Sequence, residues 1–227
     1  MKRLSLLFCF SLIFSTFLMT TPIVTDSMAF GLGAFYSYGS GDSDVDIDDD
    51  YSTKEEFDDE RTGFGFVLDT TVATDRLFNY RLNIGYKQVD LEYHNCELDL
   101  SGISIENTFG FGVFRNKALR IWLGPQINLS YLTGDGNWGQ ADVDDVWTVG
   151  CGLGVVSGIN IHAGPVVSIC FDLGWRYNMN WGQMDYSYYD YYYGHYYYES
   201  DTCDVTIDGH EIFATISILF RIGGDTY

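Results

Sequence analysis

The residues best suited to chemistry in this chain are carboxylates. Asp44, Asp46, Asp48 and Glu55 occupy the first, third, fifth and twelfth positions of a calcium-loop spacing. A loop of that kind wraps hard oxygen ligands around one ion and needs glycine at its sixth position, where this chain has Asp49. Helical periodicity is also missing on both sides. The spacing therefore predicts loosely bound Ca²⁺ or Mg²⁺ among clustered carboxylates, or simply a solvated negative surface, and it implies no tighter cofactor. His94 follows Glu92 closely and His210 precedes Glu211, which could form acid–base pairs, but no serine stands at a diagnostic spacing from either. His162 falls near an expected turn. The runs Gly31-Leu32-Gly33, Gly63-Phe64-Gly65 and Gly150-Cys151-Gly152 lack the following helix start that a nucleotide loop requires.

The charge balance narrows the partners. The chain has 12 basic and 32 acidic residues and a net charge of −20. A phosphate-binding footprint must be basic, so nucleic acid is excluded as a partner. Basic partners or divalent cations suit the surface. Lys2 and Arg3 precede an apolar run, Leu4 to Met19, and a small-residue site at Ser27-Met28-Ala29. That order predicts a signal peptide over 1–29, cleaved after Ala29, and one domain over 30–227.

The elements that carry these residues have a period of two, which is the signature of strands. Strands are expected over about 30–39, 62–70, 78–90, 101–114, 119–132, from 146 onward, 165–178 and 211–222. The third is typical: Phe78, Tyr80, Leu82, Ile84 and Tyr86 alternate with Asn79, Arg81, Asn83, Gly85 and Lys87. Pro125 lies on the apolar side of the fifth strand and predicts a gap in its ladder. Between strands, long and short connections take turns. The block 42–60 holds eleven carboxylates against Lys54, and 93–98, 133–145 and 181–208 are also polar, so all four are expected to be long external loops. Nine tyrosines crowd the last, between Tyr186 and Tyr198.

One face of every strand is bulky and apolar. The other carries glycine and small polar groups, with Asp69, Arg81, Lys87, Glu106, Arg120, Asp172, Arg176 and Arg221. A soluble sandwich or barrel would hide the bulky face; a barrel in lipid shows it outward and fills its narrow lumen with the small, polar one. Charges inside must pair. Estimated heights predict Lys87 with Glu106, and Asp172 with Arg176 or Arg120. Arg81, Arg120, Arg221 and Asp69 fall nearer the short turns. The expected fold is all-β: an eight-stranded antiparallel up-and-down transmembrane barrel with long acidic external loops and short periplasmic turns.

With its Gly-aromatic repeats at Gly63-Phe64-Gly65-Phe66 and Gly110-Phe111-Gly112, and its arginine-bearing seventh and eighth strands, the chain resembles the small eight-stranded outer-membrane barrels of Gram-negative bacteria, such as the transmembrane domain of outer membrane protein A and porin-like relatives. The resemblance implies the cell outer membrane, contact with membrane lipid and lipopolysaccharide, a monomer and no catalytic signature. Divalent cations could there bridge acidic loops to lipopolysaccharide phosphates. Tyr227 matches the aromatic terminus common in that class, although Gly223-Gly224-Asp225-Thr226 break the alternation before it.

Cys96 and Cys203 fall in outward loops of an oxidising compartment and are candidates for a disulfide. Cys151 should point to lipid and Cys170 inward. The tyrosine-rich segment 186–198 is a candidate surface for a partner, since tyrosine offers contact area with few rotors, or a weakly constrained loop. Three functions stay open: a non-enzymatic barrel with an envelope-structural or surface-interaction role, a narrow porin-like channel for small solutes, and a lipid-modifying enzyme.

Overall fold

The computed structural model describes residues 30–48, 53–72, 76–139, 141–192 and 195–222. The expected signal segment, its cleavage site and Tyr227 lie outside the described residues, as do the side chains of Asp48, Thr53, Lys54, 189–197 and Glu199.

Eight strands follow in order: β1 (Phe30–Asp48), β2 (Thr53–Asp69), β3 (Phe78–Tyr93), β4 (Cys96–Arg115), β5 (Leu119–Trp138), β6 (Ala141–Ala163), β7 (Val167–Tyr192) and β8 (His195–Ile222). Each pairs antiparallel with its sequence neighbours, and β1 pairs with β8 from Phe30↔Ile222 to Asp48↔Asp204, so the barrel closes. Closure leaves no open edge around the ring, which is the condition for strands to live in hydrocarbon.

Side-chain parity agrees with the sequence pattern. Phe64, Phe66, Ile212, Ile216, Ile218 and Phe220 face outward and are exposed, while Val67, Asp69, Thr215, Ser217 and Leu219 are buried inside. The outward apolar run of β8, Ile212 to Ile222, climbs about 34 Å along the strand, or about 26 Å along the axis at a tilt near 40°; this matches the roughly 25 Å apolar band of such barrels. The β4–β5 ladder breaks as expected beside Pro125: register passes from Thr108↔Gln126 to Phe111↔Leu123, and a bulge follows between Gly112 and Phe114.

The four expected loops prove to be mostly strand. β1 continues through Asp48 and β2 begins at Thr53, so nearly all of the acidic block 42–60 is paired. The tyrosine-rich segment is the tip of the β7–β8 hairpin, with backbone register Tyr189↔Tyr198 and Tyr192↔His195. The reason is a reversal of chemistry at constant parity. Above Tyr38 the outward positions of β1 become Asp42, Asp44 and Asp46, and the inward ones Val45 and Ile47. The same switch occurs on other strands, and Val45, Phe57, Leu91, Leu98, Val146 and Val205 join one buried apolar cluster inside the upper barrel. The lower half is thus apolar outside, with its buried charges inside beside two small apolar clusters; the upper half has an apolar core and an acidic skin. β7, at 26 residues, corresponds to about 85 Å of strand and about 65 Å of height, so roughly 40 Å stands beyond the apolar band.

Candidate functional site

Two places carry concentrated polar groups: the lumen of the lower barrel and the acidic upper surface. Among the described residues, the buried charged side chains are Asp59, Asp69, Glu106, Asp172 and Glu211 against Arg61, Arg81, Lys87, Arg120 and Arg176, five of each sign. A lumen neutral in total is one that water need not solvate.

These charges form two layers. In the lower one Arg81 stands across the β2–β3 ladder from Asp69, donates to it through Nε at 2.5 Å, and reaches over the lumen to Asp172. Its guanidinium lies 4.9 Å from the centre of the Trp122 ring. Trp122 Nε1 donates to Asn160 Oδ1 at 3.1 Å, and Asn160 Nδ2 donates to Thr71 Oγ1 at 2.5 Å. Glycine makes room for this layer: a Cβ at Gly158 would lie 2.3 Å from the Trp122 ring.

Glu211 is the hub of the upper layer. It faces Arg176 across the β7–β8 ladder and accepts from its Nε, with Arg61 Nη1 at 2.8 Å and Lys87 Nζ at 3.5 Å from its other oxygen. Arg176 Nη1 also reaches Glu106 Oε1 at 2.5 Å, and Asn83 Nδ2 donates to the second oxygen of Glu106 at 3.1 Å. Arg61 joins Asp59 at 2.6 Å and Ser43 Oγ at 2.9 Å. Above this layer lies a cavity of about 10 Å³ lined by Arg61, Lys87, Asn128 and Asn178, room for a single water at most. The buried apolar cluster of the upper barrel lies above it.

Seven of the eight expected interior residues are buried inside, with Arg221 the exception, and several partners differ. Lys87 pairs with Glu211 rather than Glu106, and Asp172 pairs with Arg81 rather than Arg176 or Arg120. Arg120 is buried and donates to the Leu77 carbonyl at 3.3 Å. Arg221 is half-buried at the rim and donates to the Gly164 carbonyl. Asp59, Arg61 and Glu211 are missing from the sequence-derived set. Their parity with Val67 and Phe213 is the available signal, but Asp59 and Arg61 fall before the expected second strand and Glu211 at the first position of the expected eighth.

The acidic upper surface holds the other candidates. Asp44 and Asp46 face outward in an extended strand, about 6.6 Å apart, and Glu55 lies on the opposite parity, opposite the buried Val45. A strand cannot curl these carboxylates onto one ion, so the calcium-loop spacing does not assemble, and no three metal-ligating side chains converge among the described residues. An open cleft of about 1130 Å³ does lie between the β1–β2 and β3–β4 hairpins, lined by Asp44, Glu55, Asp58, Glu92, His94 and Glu97. The Glu55 carboxylate beside Tyr93 holds that phenol above its ordinary pKa. Asp99 sits in register between Asp90 and Asp135 on its two neighbouring strands. Partial desolvation, then the charges of Asp90 and Asp135, raise its carboxyl above the usual range.

The remaining candidates separate. Cys96 and Cys203 are not bonded to each other: they lie on β4 and β8, strands on different sides of the ring, and the buried Cys203 thiol donates to the Met184 carbonyl. Cys170 is buried inside and Cys151 half-exposed outside. His210 faces outward, 3.7 Å from Asp42, while Glu211 next to it points into the lumen, so the two make no acid–base pair. His162 Nδ1 lies 2.8 Å from Ser168 Oγ, but Ser168 is completely buried and the contact pins the β6–β7 turn.

No family model and no curated protein sequence matches the chain. Solved structures do. The outer membrane protein OprG from Pseudomonas aeruginosa superposes with a TM-score of 0.55 at 11% identity, covering 88% of this chain and 98% of that one. Ail, the attachment invasion locus protein of Yersinia pestis, matches at a TM-score of 0.38 and 14% identity, over 86% of this chain and 99% of that one. The outer membrane protein AlkL, solved in lipid bilayers, matches at a TM-score of 0.38 and 12% identity, over 90% and 94%. The chain has the fold of the small eight-stranded Gram-negative outer-membrane barrels.

Proposed function

We propose that the protein is a non-enzymatic barrel of the outer membrane whose lumen is sealed and whose acidic upper barrel meets partners at the cell surface. The single observation that carries this reading is the reversal of inside and outside along the same strands. A band of exposed Phe, Ile, Leu and Val suits hydrocarbon, and Tyr36, Tyr38, Tyr86, Tyr131, Trp175 and Tyr177 around its upper part suit an interfacial girdle. The acidic skin above suits water. The short turns then face the periplasm, and the barrel works as a monomer.

The ion-paired layers and the apolar cap support a closed barrel over a narrow channel. No nucleophile–base pair is both assembled and accessible among the described residues, which favours a binding role over lipid modification. The surface takes a basic partner: the cleft supplies carboxylates, and the β7–β8 hairpin supplies tyrosines, of which Tyr186 and Tyr188 stack with ring centres 6.0 Å apart. Mg²⁺ or Ca²⁺ held loosely along the skin, at Asp44 and Asp46 among other carboxylates, links it to lipopolysaccharide phosphates. The test is binding of cells displaying the protein to an oligolysine-coated surface. Deleting 188–199, or changing Glu92 and Glu97 to Gln, should each reduce binding severalfold; binding that survives both changes together overturns the surface role.

A further inference from the structure

We propose that the outward face of β6 and β7 just above the hydrocarbon, centred on Trp147 and Trp181, docks the sugar headgroup of lipopolysaccharide. The inference rests on the reading of the apolar band as lipid-immersed and adds to it one wall of the barrel and the chemistry of the lipid that meets it.

Register sets the heights around the ring. A path straight across the ladders from Tyr36 on β1 passes Tyr86 on β3, Tyr131 on β5 and Trp181 on β7, and returns to β1 at Asp46, ten positions above its start. With strands about 4.8 Å apart and a rise of about 3.3 Å per residue, that stagger corresponds to a tilt of about 40°. Spread evenly over the eight strands, the climb puts Trp147 and Trp181 level with Asp44 on β1, Asp58 on β2, Glu92 on β3 and Asp99 on β4. Four strands thus carry a carboxylate outward at the height where β6 and β7 carry tryptophan.

Across the β6–β7 ladder Trp147 faces Gln183 and Trp181 faces Val149, so the two indoles occupy neighbouring outward rungs on adjacent strands, about 7–8 Å apart. Trp147, Met179 and Trp181 are exposed and Val149 is half-buried. Thr133 and Gln183 flank Trp147 on its own rung, so the patch adds hydrogen-bonding groups but no charge. Carboxylates resume one outward rung higher, at Asp145 and Asp185, and one strand over, at Asp204 and Asp208. The apolar outward run of β7, Val167 to Trp181, climbs about 35 Å along the axis, roughly 10 Å more than the usual apolar band. Trp147 and Trp181 therefore stand in the headgroup layer. In the outer leaflet of a Gram-negative outer membrane that layer contains phosphorylated glucosamine rings. Such a ring packs a face of C–H groups on an indole and turns its hydroxyl edge to amide and hydroxyl groups such as those of Gln183 and Thr133. Its phosphates meet repulsion from the carboxylates of β1 to β4 at this height, and meet none of these on β6 and β7. Continuity with the band, two flat rings and the local gap in the acidic skin all favour lipopolysaccharide.

The test uses the mature protein in nanodiscs of phosphatidylcholine, phosphatidylglycerol and deep-rough lipopolysaccharide. EDTA is present to strip divalent bridges, and retained lipids are counted by native mass spectrometry. Wild type should retain lipopolysaccharide in preference to phosphatidylglycerol. Trp147→Leu with Trp181→Leu keeps the face apolar but removes both flat rings. At about three- to tenfold per aromatic contact, this pair should cut the preference about tenfold. Trp147→Phe with Trp181→Phe should keep most of it. Heat-modifiable gel mobility confirms that each variant is folded. Equal retention of the two lipids by wild type, or a preference intact in the leucine pair, overturns the site. Wild-type dimers that carry no lipopolysaccharide and are lost in the leucine pair assign the face to a second copy and overturn the sugar. Failure of the folded protein to enter nanodiscs overturns the lipid-immersed band itself and is distinguishable from the other outcomes.

Discussion

Replacing Glu211 with Gln should destabilise the folded barrel by about 3–5 kcal/mol, the usual cost of breaking a buried ion pair by removing one partner. Glu211 is completely buried and holds three cations: Arg176 across the ladder, Arg61 at 2.8 Å and Lys87 at 3.5 Å. Its loss leaves Asp59 and Glu106 to balance all three, so one positive charge stays uncompensated in the lumen. Glu106 ion-pairs with Arg176 alone and accepts from the neutral Asn83, so Glu106→Gln should cost less, near the lower end of that range. The decisive variant combines Glu211→Gln with Lys87→Met. It restores neutrality and should recover about half of the loss, because among the described residues the cation removed ion-pairs with Glu211 alone. The assay is equilibrium unfolding in urea of the barrel in lipid vesicles, followed by tryptophan fluorescence. The reasoning is refuted if Glu211→Gln costs no more than the outward Asp58→Asn, expected within about 0.5 kcal/mol, or if the double variant is less stable than the single one.

Three other outcomes follow from the upper barrel. Phe57 is completely buried, with ring centres 5.6 Å from Tyr93 and 5.4 Å from Trp138, so Phe57→Ala should cost about 3–5 kcal/mol and open the upper hairpins to limited proteolysis while the lipid-immersed part stays protected. The raised carboxyl of Asp99 means that the folded state holds this proton more tightly than the unfolded one; the contribution to stability is therefore favourable at acid pH and lost as pH rises through the raised folded value. Asp135→Asn should bring that value back toward the ordinary carboxylate range in a carbon-detected NMR titration, and no change would remove the cross-strand repulsion. Non-reducing electrophoresis of the purified mature protein should show no Cys96–Cys203 crosslink, since the two lie on strands across the ring from each other; a faster band that is lost on reduction would contradict this.

The strand count, the closure and the outward face of the lower barrel were legible because period-two alternation of bulky and small residues survives in every strand. The upper barrel was not, and the cause is visible in Asp44-Val45-Asp46-Ile47-Asp48. That run alternates as strictly as any strand, but its charge density matches both a solvated loop and an ion-binding spacing. Leu91-Glu92, beyond the expected end of the third strand, and Asp204-Val205-Thr206-Ile207 carry the same pattern and are hidden for the same reason. Ending the strands early then displaced the site. Arg61 falls just outside the expected second strand and Glu211 at the very first position of the eighth, estimated height gives Lys87 and Asp172 the wrong partners, and Cys96 and Cys203 fall in connections free to meet. Cross-strand partners depend on register, which a single sequence specifies only where both strands are fully recognised.

The central claim is that each strand keeps its parity while its outward chemistry passes from hydrocarbon to water. Spin labels placed one at a time by Asp204→Cys, Asp208→Cys, Ile212→Cys, Ile216→Cys and Phe220→Cys, in a background with the native cysteines replaced, test it along β8. In bilayers the last three should be accessible to oxygen and shielded from a water-soluble nickel relaxant, and the first two should show the reverse. Nickel access equal at all five positions would contradict the account, as would oxygen access at Asp204 and Asp208.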